Sequence, residues 1–295
     1  MPDMKPTENP ENPASDSFSA FNCDDLQFPV LLSVPHAGRI YPSSLTGNLR
    51  LDPAQIVRLE DRYADRLATT AIKAGIPTVI AHYARAWVDL NRDSRDVDPA
   101  MVEGGFPNSL GSAKMRGGLG LIPRRLMQYG DIWKRPLQRD DIDHRISSYH
   151  MPYHDLLERL LAQILARHGV AILVDLHSMP PLGADDELQP QVVIGDRFGQ
   201  SAASVYSELL AGRLHHLGIR VALNHPYPGD YILRRHGAQK RNIHAIQIEV
   251  DRRLYLDADL REPSAGTADV AAIIGDLVFL LVEQARGASL AIAAE

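Results

Sequence analysis

Val170-Ala171-Ile172-Leu173-Val174-Asp175-Leu176-His177-Ser178 is a run of aliphatic and β-branched residues that empties into a polar tip carrying a histidine. A second stretch has the same grammar: Phe28-Pro29-Val30-Leu31-Leu32-Ser33-Val34 leads into Pro35-His36-Ala37-Gly38. Continuous apolar runs of this length suit strands buried on both faces of a parallel sheet, and open α/β sheets collect their ligands at the carboxyl ends of such strands. Two histidines at two such tips point to a metal. Taken residue by residue, a hydrogen-bonded histidine at each buried strand end remains the competing reading.

Outward from these tips, apolar runs alternate with helical patterns. Asp52-Pro53 opens a helix expected to run to about Ala74, with Ile56, Leu59, Tyr63, Leu67 and Ile72 on one face and Gly75 as its stop. Residues 77–82 read as a short buried strand, and Trp87-Val88-Asp89-Leu90 as its neighbour. The segment 93–123 is rich in glycine and proline, which suits a long loop over a site, with a lid as one possible role. Helices are expected over 142–168, 201–217 and 267–285, and strands over 191–194, 220–223 and 244–250. This alternation predicts an α/β fold: a mixed, mainly parallel central sheet between helices, as a single domain over 21–295 after a flexible tail over 1–20.

Composition narrows the function classes. The chain has 295 residues, 45% of them hydrophobic and 23% charged, enough for a sizeable core. A net charge of −6 and the absence of a basic stripe give no electrostatic reason to expect nucleic acid as a partner. Cys23 is the single cysteine, so neither an intrachain disulfide nor a thiolate zinc cage can form, and a reducing cytoplasm is the expected setting. The polar start over 1–16 lacks the apolar core of a signal peptide, and no run approaches the roughly 20 apolar residues of a membrane span. Neither a Walker-type loop nor a Gly-x-Gly-x-x-Gly after a strand appears, which disfavours nucleotide binding.

The chemistry is expected at strand ends. Zinc held by His36 and His177 wants a third ligand, and with no cysteine partner a carboxylate is the natural source: Glu60, Asp61 and Asp65 follow the first histidine loop. Asp89-Leu90-Asn91-Arg92 offers a guanidinium fork and an amide suited to a small acidic substrate, or else an Asp-Arg ion pair at a strand end. Alternation along 244–250 puts Ala245, Gln247 and Glu249 on one face and Ile246, Ile248 and Val250 on the other, so Glu249 can face the site as a proton carrier or face solvent. His150 and His154 stand four apart, but Pro152 and their aromatic neighbours suggest packing rather than ligation.

Taken in order, Ser33-Val34-Pro35-His36-Ala37-Gly38, Asp89-Leu90-Asn91-Arg92, Asp175-Leu176-His177-Ser178 and Gln247-Ile248-Glu249 resemble the N-formylglutamate amidohydrolase family. The resemblance spans about 29–257, including Asn224-His225-Pro226-Tyr227-Pro228-Gly229 and Arg252-Arg253-Leu254-Tyr255-Leu256, and the skeleton is also similar to the zinc carboxypeptidase and aspartoacylase group. It implies a three-layer α/β/α fold, one zinc ion per chain, and hydrolysis of the formyl amide of N-formyl-L-glutamate to formate and L-glutamate in histidine degradation. It implies His36 and His177 as metal ligands, Asn91 and Arg92 as the grip on a substrate carboxylate, and Glu249 as general base and acid. Carboxypeptidase and aspartoacylase relatives supply a glutamate three residues after the first histidine, where this chain has Arg39. A cation cannot ligate zinc, so the third ligand must come from elsewhere, and Asp61 is preferred over Glu60 and Asp65. Arg85 is a candidate second carboxylate or oxyanion contact, and Arg234, Arg235, Lys240 or Arg241 could hold a second carboxylate. The resemblance fixes amide cleavage better than the acyl group, leaving another N-acyl amino acid or small peptide as an alternative substrate. A catalytically silent metal- or ligand-binding protein is the alternative from a different class.

Overall fold

The computed structural model describes residues 17–183 and 189–292. Residues 1–16 of the expected tail lie outside that range, and Phe18–Phe21 forms the first strand, β1. The other strands are β2 (Val30–Val34), β3 (Thr78–Ala81), β4 (Arg125–Leu126), β5 (Gly130–Asp131), β6 (Ala171–Met179), β7 (Val192–Gly195), β8 (Val221–Leu223) and β9 (Ile243–Asp251). Seven of them form one sheet in the order β1-β3-β2-β6-β9-β7-β8, while β4 and β5 make a separate antiparallel hairpin. The pairs β2·β6, β6·β9 and β7·β8 are parallel and β7·β9 is antiparallel, which makes the sheet mixed and mainly parallel, with helices filling the sequence between its strands.

The chain path weaves two compact units. One takes the N-terminal residues up to Ser19 together with Gly38–Glu60 and Ile80–Leu156; the other takes Ala20–Ala37, Asp61–Val79 and Leu157–Glu295. The second unit holds β2, β6, β7, β8 and β9. Its central strands are buried on both faces: all five residues of β2 and all nine of both β6 and β9 are buried. Each aliphatic side chain withdrawn from water here contributes about 1.5–3 kcal/mol against its exposed state, which is why these runs carry so few polar residues. Of the polar residues they do carry, Ser33, Asp175, His177, Ser178, Gln247 and Glu249 belong to the candidate site described below, whereas His244 accepts from Ala203 N and Asp251 accepts from Arg253 N. The long helix Gly266–Ile292 packs on the short helices Ala64–Leu67 and Thr69–Lys73. Gly275 permits that approach, since a Cβ there would stand 2.7 Å from Thr70 Cγ2.

The first unit is poorer in sheet. Gly38, just past the first histidine tip, lies against the backbone of residues 82–83, where a Cβ would come within 2.1 Å of Tyr83 O. Ile40 N donates to His82 O at 2.9 Å and Ala84 N to Ile40 O at 3.0 Å, so a small residue is required for the chain to pass. The expected loop over 93–123 is irregular apart from a 3₁₀ turn at Pro99–Met101 and one helical turn at Ala113–Arg116.

Three expected elements differ. The helix expected over 52–74 starts as read, with Asp52 accepting from Ala54 N at 2.8 Å and Pro53 at the first position, but it breaks after Leu59. Glu60 is extended, Tyr63 adopts a left-handed φ of 58°, and the helix resumes only at Ala64. The cause is that Asp61 N donates to His36 O at 2.9 Å instead of continuing the helical ladder. Trp87-Val88-Asp89-Leu90 is a buried turn and not a strand, because its backbone groups find partners elsewhere: Asp89 N donates to Leu121 O, and Trp87 O accepts from Arg145 Nη1. The helix expected over 142–168 begins earlier, at Arg139, and passes through a π-helical turn at Ile146–His150 before Met151–His168. Pro152 explains the wide turn: it has no N–H for the ordinary ladder, and the π geometry absorbs the missing bond.

Candidate metal centre and active site

The site is assembled within the second unit by strand register. In the parallel pair β6·β9, His177 stands opposite Glu249 and Asp175 opposite Gln247; in β2·β6, Ser33 stands opposite Asp175. Alternation then puts Asp175 and His177 on one face of β6, and Gln247 and Glu249 on the same face of β9. His36 follows the end of β2, and Asp61 comes from the break in the helical stretch. Strand β6 runs on to Met179, so His177 lies inside a paired strand rather than beyond its end.

His36, Asp61 and His177 are 2%, 3% and 3% exposed, and one ligand atom from each lies within 4.8 Å of the others. Asp61 Oδ2 is 2.8 Å from His177 Nδ1 and 3.5 Å from His36 Nδ1, and the two imidazole rings have centroids 4.8 Å apart at 63°. Tetrahedral coordination with bonds of about 2.0–2.1 Å sets neighbouring ligand atoms roughly 3.3 Å apart, so this spacing is on the scale a small divalent ion requires. Two imidazoles and one carboxylate also form a donor set for borderline first-row metals.

Two of the three candidate ligands, His177 and Asp61, are held from behind. His177 Nε2 lies 2.8 Å from Asp175 Oδ2, and Asp175 Oδ1 accepts from Ser33 Oγ at 3.0 Å, which orients the ring so that Nδ1 faces Asp61. Asp61 Oδ1 accepts from Arg252 Nη2 at 3.1 Å. Burial alone would raise the Asp61 carboxyl, but hydrogen bonds with His177 and His36, and the charge those rings carry, hold its pKa well below the usual range. Burial would likewise depress His177, yet the charge and hydrogen bond of Asp175, with help from Asp61 and Glu249, hold it well above an ordinary histidine. Two carboxylates thus flank His177 and favour positive charge between them, the surroundings a divalent cation also needs.

Glu249 is 9% exposed, accepts from Gln247 Nε2 at 3.0 Å and acts electrostatically on His177. Of the other two acids considered as ligands, Glu60 accepts from Tyr41 Oη, and Asp65 lies in the helical turn Ala64–Leu67; neither belongs to the cluster. Of the expected substrate-binding residues, Arg85, Asn91 and Arg92 belong to the first unit, and Arg234, Arg235, Lys240 and Arg241 to the second. Asp89 organises the first three: its Oδ1 accepts from Asn91 N at 2.9 Å, and its Oδ2 accepts from Arg85 Nε at 2.8 Å and lies 3.9 Å from Arg92 Nε. Asn91 and Arg92 are buried, and Arg92 also donates to Leu119 O at 2.8 Å and to Asn91 O at 2.7 Å. The histidine pair on the following helix grips the same turn, with His154 Nε2 2.9 Å from Leu90 O and His150 Nε2 2.7 Å from Arg92 O.

Asp175, Ser33, Arg252 and Ser178 carry the site without having been singled out as site residues. The i, i+2 spacing of Asp175 and His177 was the signal available for the first of them. Nothing local in the sequence signals the contact between Arg252 and Asp61.

Sheet and cluster together define the class: an α/β protein with a buried two-histidine, one-carboxylate centre able to hold a metal ion, and a glutamate on the adjoining strand. A sequence profile of the N-formylglutamate amidohydrolase family matches residues 28–256. The chain belongs to that family. It is 29% identical to the N-formylglutamate deformylase of Pseudomonas aeruginosa over 275 residues, covering 88% of this chain and 94% of the relative. It is also 29% identical to the N-formylglutamate deformylase of Pseudomonas putida over 249 residues, covering 83% and 87% of the two chains. The crystal structure of N-formylglutamate amidohydrolase from Ralstonia eutropha superposes with a TM-score of 0.85 at 28% identity, covering 92% of this chain and 99% of that one. Among the described residues, no helix is long and apolar enough to cross a membrane.

Proposed function

We propose that the protein is a zinc-dependent amidohydrolase that cleaves the formyl amide of N-formyl-L-glutamate to formate and L-glutamate, in the cytoplasm and in histidine degradation. Family membership and two relatives named N-formylglutamate deformylase support the substrate. The observation that carries the chemistry is the register of Glu249 opposite His177, which sets a carboxylate beside the His36-Asp61-His177 cluster. Zinc bound by those three residues would polarise the scissile carbonyl and acidify water.

The protein's own groups do the rest. Glu249 takes a proton from the attacking water as the new carbon–oxygen bond forms, and returns it to the amide nitrogen as the carbon–nitrogen bond breaks. The leaving glutamate needs that proton, because an amide anion is far too basic to depart. Gln247 holds Glu249 Oε1 and so fixes the carboxylate's orientation. Arg92 and Asn91 bind a carboxylate of the substrate, with Arg85 and Asp89 setting the turn that presents them. The reading is tested by measuring formate release from N-formyl-L-glutamate and N-formyl-L-glutamine, and acetate release from N-acetyl-L-glutamate alongside. Formate release from the first, abolished by chelation and restored by zinc, is expected. Failure of zinc-loaded protein to release formate overturns the reading, and faster turnover of another acyl group reassigns the substrate.

A further inference from the structure

Arg252 belongs to no step of that mechanism, yet it is 8% exposed and its guanidinium is spread over two of the elements that build the centre. Its Nη2 donates to Asp61 Oδ1 at 3.1 Å and to Ser178 O at 3.3 Å, while its Nε donates to Ser178 Oγ at 3.1 Å. Ser178 directly follows His177 on β6, and Arg252 directly follows β9, three residues after Glu249. One planar fork therefore ties the carboxylate of one ligand to the strand that bears another, and does so from the end of the strand that bears the proton carrier.

The segment after Arg252 continues the same work. Tyr255, fully buried, donates its hydroxyl to Arg62 O at 2.8 Å. Glu262 accepts from Arg62 Nη2 at 2.9 Å and from Tyr63 Oη at 2.7 Å. Residues 61–63 are the break in the helical stretch, with Tyr63 in a left-handed conformation, so no helical ladder fixes Asp61. The hold on it comes from 191 residues further along the chain.

We propose that Arg252 is the positioning residue of the metal centre: it occupies Asp61 Oδ1, leaves Oδ2 alone to face the histidines, and so enforces one-oxygen ligation by a carboxylate that lacks a rigid backbone. The inference rests on the metal reading above. Its geometry is a division of labour between two oxygens: Oδ2 lies 2.8 Å and 3.5 Å from the imidazole nitrogens, and Oδ1 lies on the guanidinium. Released from Arg252, Asp61 is free to turn and offer both oxygens, and the ion loses a fixed ligand position.

The test compares wild type, Arg252→Gln, Arg252→Lys and Ser178→Ala by competition of zinc against a chromophoric chelator and by the visible spectrum of the cobalt(II)-loaded proteins. Outer partners of metal ligands typically set affinity by about 10–100-fold, so Arg252→Gln is expected to weaken zinc binding by at least about tenfold and to reduce cobalt absorption intensity as the coordination number rises. Arg252→Lys is expected to restore the charge but not the spectrum, because one ammonium cannot span Asp61 and Ser178. Should Arg252→Gln lose its fold by circular dichroism, Ser178→Ala decides, with weaker zinc binding expected. Unchanged affinity and spectrum in the folded variants overturn the proposal while leaving the metal reading intact. A wild type that takes up no zinc or cobalt overturns both.

Discussion

Replacing Asp175 with Asn should weaken the metal centre without touching a ligand. Asp175 is fully buried on β6, with Oδ2 2.8 Å from His177 Nε2 and Oδ1 accepting from Ser33 Oγ at 3.0 Å. Asn keeps the shape and can still accept from the imidazole through its oxygen, while its amide faces the Ser33 hydroxyl, which can rotate to accept. The charge is lost. A hydrogen bond to a charged group contributes about 1.5–3 kcal/mol, against about 0.5–1.5 kcal/mol for a neutral one. The difference of roughly 1–1.5 kcal/mol corresponds to about a tenfold change in an equilibrium constant. Asp175→Ala removes the partner altogether and strands a buried imidazole N–H, so about a hundredfold loss is expected, the upper end for such partners. Chelator competition measures both, and circular dichroism confirms that the fold is kept. Equal zinc affinity in wild type and both variants would refute the idea that Asp175 prepares His177 as a ligand.

Glu249→Gln should lower kcat by about 10²–10⁴, the range for a general base, with zinc affinity unchanged because Glu249 is not a ligand; a parallel loss of bound zinc would assign it to the metal instead. Arg92→Ala should raise KM for N-formyl-L-glutamate by roughly 10²-fold, the cost of losing a charge-assisted pair, with a smaller effect on kcat, and an unchanged KM would remove it from substrate capture. Zinc uptake by metal-free protein near neutral pH should release about one proton, since the ion must displace the one held on His177. The sign follows from the raised pKa: the stability that protonated His177 gives the metal-free protein is complete below its ordinary value of 6.5 and fades as pH rises through the higher folded value. Titration calorimetry in buffers of different ionisation enthalpy counts the proton, and a count of zero contradicts the assignment.

The mixed, mainly parallel α/β sheet was legible because its central strands are long and fully buried, with apolar runs that are hard to mistake, and period-two alternation puts Glu249 on the same face as Gln247. The misread elements were those where a tertiary partner outcompeted local preference. The apolar spacing over 52–74 is helical on both sides of the break, and only the distant carbonyl of His36 diverts the amide of Asp61. Trp87 and Val88 favour a strand, but Asp89 satisfies Asn91 N and Arg85 locally, while His154, 64 residues on, takes Leu90 O and His150, 58 residues on, takes Arg92 O. The role of Arg252 was illegible because a surface arginine and a ligand clamp look the same in one dimension.

Strand β9 is bonded along both edges, to β6 on one side and β7 on the other, through the whole neighbourhood of Glu249. Its main chain thus has no open side toward which to yield. In the proposed mechanism, whatever travel the carboxylate makes between water and leaving nitrogen falls to rotation about its own side-chain bonds, so the reach of the proton is set by the length of a glutamate, and an aspartate at this place would be anchored too far back for the backbone to make up the difference.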